Sequence, residues 1–569
     1  MSVLKKWNFK ERHLDLAKSL SSELSISPIV TELLIQRGFK STSEINTFLY
    51  PQFEPLADVI KDMPDMDKAV QLLNDAITHQ TKITVYGDYD VDGVSATVIL
   101  VSALRDLGAN AHFYIPHRLS GYSLNPESLK EIKDGGTEII ITVDNGISAY
   151  EEIAFANSLG MKVIVTDHHT VPEKLPDAAC LINPRRIVPE NSLANLCGAG
   201  TAFMLVAGLF LSKNKFGKEN LKKYLDLVAV ATVSDVVSLK KENRMLTILG
   251  LEQLNTAPRP GIAAILKVTK NKKKIDARGI GFGISPMINA AGRLDHAELA
   301  VQLLLSENSD EAMRWAHKIS EVNMKRRTAS ENLIKEAESI IESDYKFPED
   351  KVIVLANKEW HAGVVGIGCA QLTRKYLRPV VLIGAIGDEG RGSIRTVPGV
   401  NVMPALTECK DLLLTFGGHP EAAGFSIDFT KVEEFKKKFT QALQVSVNQE
   451  AILPKQDIDL SITLPEVTLE LIKDLQKLHP LGKDNPLPIF AIENLTAVSH
   501  ELVGDGTHLK MTLTDGTHEI AGIGFGLHET QPILETGKPF KVACSLELNQ
   551  WNNKETAQLH VYDIQLINP

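Results

Sequence analysis

Several protein classes are excluded by what the chain lacks. Of its 569 residues only five are cysteines, namely Cys180, Cys197, Cys369, Cys409 and Cys544, and no two form a CxxC pair. A zinc ribbon and a disulfide framework are therefore excluded, and a reducing compartment is the natural home. No apolar run approaches the ~20 residues that a bilayer demands. The most membrane-like stretch, GAGTAFMLVAGLFL at 198–211, is expected to be a buried core helix. The N-terminus, MSVLKKWNFKERHLDLAKSL, contains no uninterrupted apolar segment, so no secretory signal is expected and the protein is read as cytoplasmic, with no membrane partner. Net positive charge is missing too: 61 Lys and Arg stand against 71 Asp and Glu, a balance of −10. Such a chain is poorly suited to coating duplex DNA, because an anionic surface repels phosphate. An ordinary enzyme stays open, as does a nucleic-acid enzyme with its positive charge confined to one groove. There is no G-x-x-x-x-G-K-[ST] and no H-E-x-x-H, and GIGFG at 279–283 and 522–526 departs from G-x-G-x-x-G, so its glycines are read as turn residues. Internal repeats and low-complexity tracts are also absent.

What is present has an orderly pattern. A chain of this length implies about three to five domains. Residues 1–80 read as short helices around SPIVTELLIQRGF and DKAVQLLNDAI. From Lys82, apolar strands (KITVYG, NAHFYIP, EIIITVD, KVIVTD) alternate with amphipathic helices, which predicts an α/β fold with a parallel sheet covered on both faces. Between Asn308 and Asp344 there is neither Gly nor Pro, and Trp315, Ile319, Val322, Ile334 and Ile341 recur at roughly helical spacing. One long helix joining two lobes is expected there, capped by Asn308 with Glu311. Residues 351–446 are again α/β. The C-terminal part changes class: Asp515-Gly516 between alternating runs is a hairpin signal, and a small antiparallel, OB-like barrel is expected.

Chemistry concentrates where the parallel strands end. GDYDVDG carries Asp88, Asp90 and Asp92; VDNG carries Asp144; DHH supplies Asp167, His168 and His169; a fourth apolar stretch, LDLVAVATVSDVV, carries Asp235. In open parallel sheets, ligands bind beyond the carboxyl ends of the strands, so these segments can converge on one crevice. Each alone could be a turn, and DYDVDG alone could be a calcium-type loop. Together they form a crowded carboxylate set that needs shared protons or a cation. Oxygen donors with a minority of imidazole suit Mg²⁺ or Mn²⁺. Two such ions would polarise a phosphoryl oxygen and activate water, the chemistry of phosphoester hydrolysis.

GDYDVDG, VDNG, DHH and SDVV in this order resemble the DHH phosphoesterase superfamily, and the wider pattern resembles its RecJ family of single-stranded-DNA exonucleases. The further marks are RGF…FLYP, INAAGRLD at 288–295, WHAGVVGI at 360–367, GGHPEAAG at 417–424 and PLGKDNPLPIF at 480–490. The resemblance implies an N-terminal helical segment (1–80), a parallel-sheet DHH domain (81–305), a connecting long helix (306–345), an α/β DHH-associated domain (346–450) and a C-terminal OB-fold β-barrel (455–569) that binds nucleic acid. The implied activity is 5′→3′ hydrolysis of single-stranded DNA to mononucleotides in repair and recombination, with two Mn²⁺ or Mg²⁺ ions. Alternatives keep the metal chemistry for short oligonucleotides or cyclic dinucleotides, or make the chain a non-catalytic replication scaffold. A monomer is implied, with single-stranded-DNA-binding protein and a repair helicase as candidate partners.

By motif position, Asp88, Asp90, Asp92, Asp144, His168, His169 and Asp235 are the expected catalytic set. Asp90, Asp144, His168 and Asp235 are read as direct ligands, Asp88 as a further metal residue and Asp92 as the bridge, while Asp167 and His169 orient the ligands or donate to phosphate. GGH (Gly417, Gly418, His419) is read as a phosphate-handling loop. SGYSL at 120–124 stands where the family often has GYG, which loosens any substrate role for Tyr122. From Arg259 to Arg293 eight basic residues face one acidic residue, and Arg293 at the end of INAAGR is the expected phosphate contact. Arg391 and Arg395 are read as backbone clamps. Trp360 and His361 are read as nucleotide contacts, with a core role for Trp360 as the alternative. A passage between the lobes too narrow for duplex would select single strands.

Overall fold

A computed structural model of the chain describes residues 5–118, 124–187, 191–447, 454–551 and 554–567, so Tyr122 lies outside the described residues. Two compact units emerge: Glu11–Asn323 with Val467–Pro488, and Met1–Lys10 with Met324–Glu466 and Ile489–Pro569.

The first unit is built on five parallel strands in the spatial order Ala111–Tyr114, Ile83–Tyr86, Ile139–Val143, Lys162–Thr166, Cys180–Ile182. Side chains alternate across this sheet. Ile83, Val85, Ile139, Ile141 and Val143 join one apolar cluster, while Tyr86, Ile140, Val163 and Val165 join another on the opposite side. Burial on both faces explains why these strands read as continuous apolar runs. The first strand lies between the second and the third, so the chain reverses its direction of travel across the sheet there and leaves a crevice at the carboxyl ends. The apolar stretch at 198–211 forms the helix Gly198–Ser212, buried from Gly198 to Phe210, and no described helix is long and apolar enough to cross a membrane.

Two family marks outside the acidic loops, RGF…FLYP and PLGKDNPLPIF, prove to be fastenings within this unit, joined by Arg244 from outside any mark. Arg244, 1 % exposed, donates to the carbonyls of Phe48, Lys477, Leu478 and His479 at 2.6–3.1 Å, and its guanidinium lies 3.9 Å from the centre of the Phe48 ring. Arg37 of RGF donates to Asn485 Oδ1 at 2.5 Å and to the Pro486 carbonyl at 2.8 Å. RGF and PLGKDNP thus tie the N-terminal helices to the segment Val467–Pro488.

In the second unit a mixed five-stranded sheet runs in the order Leu413–His419, Ala422–Asp428, Glu389–Arg395, Val380–Ile386, Ile353–His361. Two of these strands escape a reading of the sequence. EGRGSIR looks like turn, yet a Cβ on Gly392 would collide with the Phe425 ring, so that glycine makes room for core packing. The long helix is unbroken from Ser309 to Asp344, and Asn308 Oδ1 accepts from the Glu311 N–H at 2.9 Å.

The remaining strands close a barrel. Phe490–Val503 pairs with His508–Thr514, which pairs with Glu519–Gly524; that strand runs parallel to Lys554–Leu566, and Phe540–Trp551 returns to Phe490–Val503. Lys6–Phe9, expected among the N-terminal helices, is instead a strand paired with Lys455–Ile458, and Trp7 Nε1 donates to Asp563 at 2.7 Å.

Candidate metal centre

The expected acidic residues meet at the carboxyl ends of the parallel strands. Asp90 caps the helix Val91–Asp106: its Oδ1 accepts from the N–H groups of Asp92 and Gly93 at 2.9 and 3.1 Å. The turn is so tight that a Cβ on Gly93 would lie 2.6 Å from the Cβ of Asp88. Asp92 is buried, and its two oxygens accept from Gly198 N–H at 2.6 Å and Ala199 N–H at 2.7 Å, at the positive end of the helix Gly198–Ser212. Asp144 follows the third strand with φ at +61°, a conformation that side chains other than glycine rarely adopt and that persists where surrounding structure imposes it. A Cβ on Gly198 would sit 2.7 Å from Asp144 Oδ1, so the bare backbone of that helix lets the carboxylate in. His168 Nε2 lies 3.1 Å from Asp144 Oδ1 and 3.8 Å from oxygens of Asp92 and Asp235. Asp235 comes from the end of the helix Lys218–Ser234 and is followed by Val236 at φ +54°.

Among the described residues, ligand atoms fall into three overlapping groups, each with its atoms within 4.8 Å of one another: Asp88, Asp90 and Asp144; Asp92, His168 and Asp235; Asp144, His168 and His169. Asp144 and His168 are each common to two groups, whereas Asp92 belongs to one. Asp167 stands outside them. Its oxygens accept from the N–H groups of Ile147, His168 and His169 and from His169 Nδ1 at 2.7 Å, which fixes that ring.

The electrostatics are those of a cation site. Burial, then repulsion from Asp90, pushes Asp88 up to about 8 and Asp92 up to about 7. Burial, then Asp92, takes Asp235 to about 8. Asp144 is raised by burial and by Asp92, Asp90 and Asp88. Burial and the neighbouring His169 lower His168 to about 4, so its imidazole is neutral near pH 7, as a metal ligand must be. For His169, burial opposes protonation, but the hydrogen bond and charge of Asp167 outweigh it and the pKa rises. Asp88 Oδ1 is buried and accepts no hydrogen bond among the described residues. A carboxylate set that repels itself, with one neutral imidazole and an oxygen lacking a donor, fits Mn²⁺ or Mg²⁺.

Residues expected to touch nucleic acid have varied surroundings. Arg293 lies in the last turn of the helix Ser285–Leu294, which packs on the acidic loop so closely that a Cβ on Gly292 would collide with the Tyr89 carbonyl. Arg259 is not a groove residue: it forms an ion pair with buried Asp226 at 2.7 Å. The others belong to the second unit. Trp360 does not offer its ring: it is 3 % exposed, and Nε1 donates to Glu336 at 2.9 Å, so its role is in the core. His361 caps the helix Ala362–Tyr376, its Nδ1 accepting from Gly363 N–H. GGH is not a loop but the end of the edge strand Leu413–His419, with Gly417 opposite Gly424 and His419 opposite Ala422. The same register puts Arg395 opposite Ala422 and Arg391 opposite Ser426, so Arg391, Arg395 and His419 share one face of the sheet. Arg391 also pairs with Glu389 at 3.1 Å.

Sequence reasoning missed Tyr89, whose ring lies 4.6 Å from the Arg118 guanidinium, and the Gly198–Ala199 helix start. The Gly-Ala-Gly opening of an otherwise bulky apolar run was the available signal for the latter.

Three family models match the chain: "DHH family, N-terminal domain" at residues 82–232, "DHHA1 domain" at 349–445 and "RecJ OB domain" at 458–563. The single-stranded-DNA-specific exonuclease RecJ of Bacillus subtilis is 33% identical, over 98% of this chain and 70% of that protein. RecJ of Salmonella typhimurium is 32% identical over 98% of each. The crystal structure of Thermus thermophilus RecJ in complex with Mn²⁺ superposes with a TM-score of 0.83 at 28% identity, covering 99% of this chain and 80% of that one. Its complex with Mg²⁺ gives a TM-score of 0.79 at 27% identity, covering 99% and 79%.

Proposed function

The chain belongs to the RecJ family of single-stranded-DNA-specific exonucleases, and from that premise we propose that it removes mononucleotides from the 5′ end with two Mn²⁺ or Mg²⁺ ions. It is a metal-dependent hydrolase of single-stranded DNA. The observation that carries the two-ion reading is the convergence of Asp88, Asp90, Asp92, Asp144, His168 and Asp235 from separate loops into overlapping ligand groups.

Asp88, Asp90 and Asp144 would hold one ion and Asp92, His168 and Asp235 the other, with Asp144 beside both. Bound there, the ions would polarise the scissile phosphoryl oxygen and lower the pKa of an attacking water. The protein residues act around that chemistry. Asp144 is held in its conformation by the third strand and the bare Gly198 backbone. Asp167 keeps the proton of His169 on Nδ1, which leaves Nε2 as the nitrogen that can act on substrate or metal. His168, neutral near pH 7, offers Nε2 without first losing a proton. Arg293, next to the acidic loop, is the nearest candidate for the phosphate of an adjacent nucleotide, and Arg391, Arg395 and His419 make a second, separate phosphate-binding face. A role in repair and recombination follows from the same family reading.

End-labelled strands test the proposal. With Mn²⁺, a 5′-labelled single strand should release labelled mononucleotide from the first time point, whereas a 3′-labelled strand should release its label only when digestion is complete. Early release from the 3′ label would reverse the assigned polarity, and stable strands would contradict the activity.

A further inference from the structure

The segment Ala277–Leu294 presents a face that the metal centre does not account for. It passes through a π-helical turn, Ile280–Ile284, before continuing as the helix Ser285–Leu294. Turns of this kind are rare and frequently mark functional sites. Ile280, Ile284, Met287, Ile288 and Ala291 are buried in the core. Arg278, Phe282, Asn289 and Arg293 are exposed or half-buried. Phe282 sits on the π turn itself and is 81 % exposed, between Gly281 and Gly283, where an added Cβ would meet nothing. A phenyl ring stabilises a fold only where it leaves water, so displaying one gains nothing for folding.

The segment is attached at two points to loops of the acidic centre. Ser285 Oγ lies 2.6 Å from Ser234 Oγ, and Ser234 immediately precedes Asp235. Val236, on the other side of Asp235, is 64 % exposed. At the far end, Gly292 packs against the carbonyl of Tyr89, between Asp88 and Asp90. The segment is therefore tied at Ser285 to the residue preceding Asp235 and at Gly292 to the loop that carries Asp88 and Asp90, with Phe282 three residues before the first tie and Arg293 one residue after the second. An aromatic ring with arginines before and after it on one helical segment matches what a single strand offers: bases with free faces on a chain of phosphates. Paired bases in a duplex are already stacked and offer no such face.

We propose that Phe282 is a substrate-positioning residue whose ring stacks on a nucleobase next to the scissile phosphate, with Arg278 and Arg293 taking the flanking phosphates. The inference rests on the single-stranded-DNA reading above and adds a residue that selects unpaired bases.

The test places 2-aminopurine, in turn, at each of the first six positions from either end of a single strand, bound to the Asp144→Ala protein so that the strand stays intact. Quenching should peak at one position and be lost when Phe282→Ala is added. In the otherwise unaltered enzyme, Phe282→Ala should raise KM for single strands about tenfold, from stacking worth 1–3 kcal/mol per base, with kcat within about twofold. Phe282→Trp should restore KM, and a strand lacking the base at that position should be degraded alike by wild type and Phe282→Ala. An unchanged KM, an equal loss on the base-free strand, or quenching that survives Phe282→Ala would overturn the stacking role. If wild type leaves intact strands untouched, the exonuclease reading fails and this one with it; if wild type degrades them and Phe282→Ala is indistinguishable, only the stacking role fails.

Discussion

At the scale of single residues, the centre is a store of electrostatic repulsion. In an unfolded chain these aspartates ionise near pH 4, whereas the fold lifts Asp88 and Asp235 to about 8 and Asp92 to about 7. Between those values the folded, metal-free protein still holds protons that the unfolded chain has released, so its stability falls as pH rises. A divalent cation removes the repulsion and displaces the protons, so its stabilising effect grows over the same range. The melting temperature in EDTA should therefore drop by about 5 °C or more between about pH 5 and pH 8, and the increase caused by Mn²⁺ should widen across that window. Thermal melts at fixed ionic strength check this; a flat metal-free curve with a pH-independent Mn²⁺ shift contradicts it.

At the scale of elements, the parallel sheet was legible because strands buried on both faces are continuous apolar runs, and the acidic residues were legible because they directly follow those runs. Glycine hides packing that its neighbours do not announce. The glycines of GIGFG at 279–283, read as turn residues, lie at a π-helical turn, Gly392 makes room for Phe425 within a strand, and Gly198 admits Asp144 at the start of a helix that the apolar run did announce. Trp360 was open to two readings because a buried indole with a polar tip and a stacking ring have the same composition, and only Glu336, 24 positions away, decides between them. Arg244 was missed altogether, since its carbonyl partners lie about 200 positions away in either direction. Arg244→Ala should leave those carbonyls without donors and open a cavity, costing about 3–5 kcal/mol. Lysine, with three donors in place of a planar fork of five, should restore less than half. Chemical denaturation checks this, and a loss below about 1 kcal/mol would show that the N-terminal helices are fastened by other means.

At the scale of the whole molecule, the net charge of −10 is reconciled with a nucleic-acid substrate by local arrangement. Part of the acidity is the ligand set itself. Arg293 stands next to the acidic loop on the helix Ser285–Leu294, and Arg391 and Arg395 share one sheet face of the second unit. On the proposed function, the chain would meet anions through such restricted faces rather than through its average surface. Two ions in the acidic centre are the central requirement of the proposed chemistry, and anomalous diffraction at the manganese edge from crystals soaked in Mn²⁺ tests it most directly. Two peaks are predicted, one among Asp88, Asp90 and Asp144 and one among Asp92, His168 and Asp235; a single peak, or peaks away from these carboxylates, would contradict it.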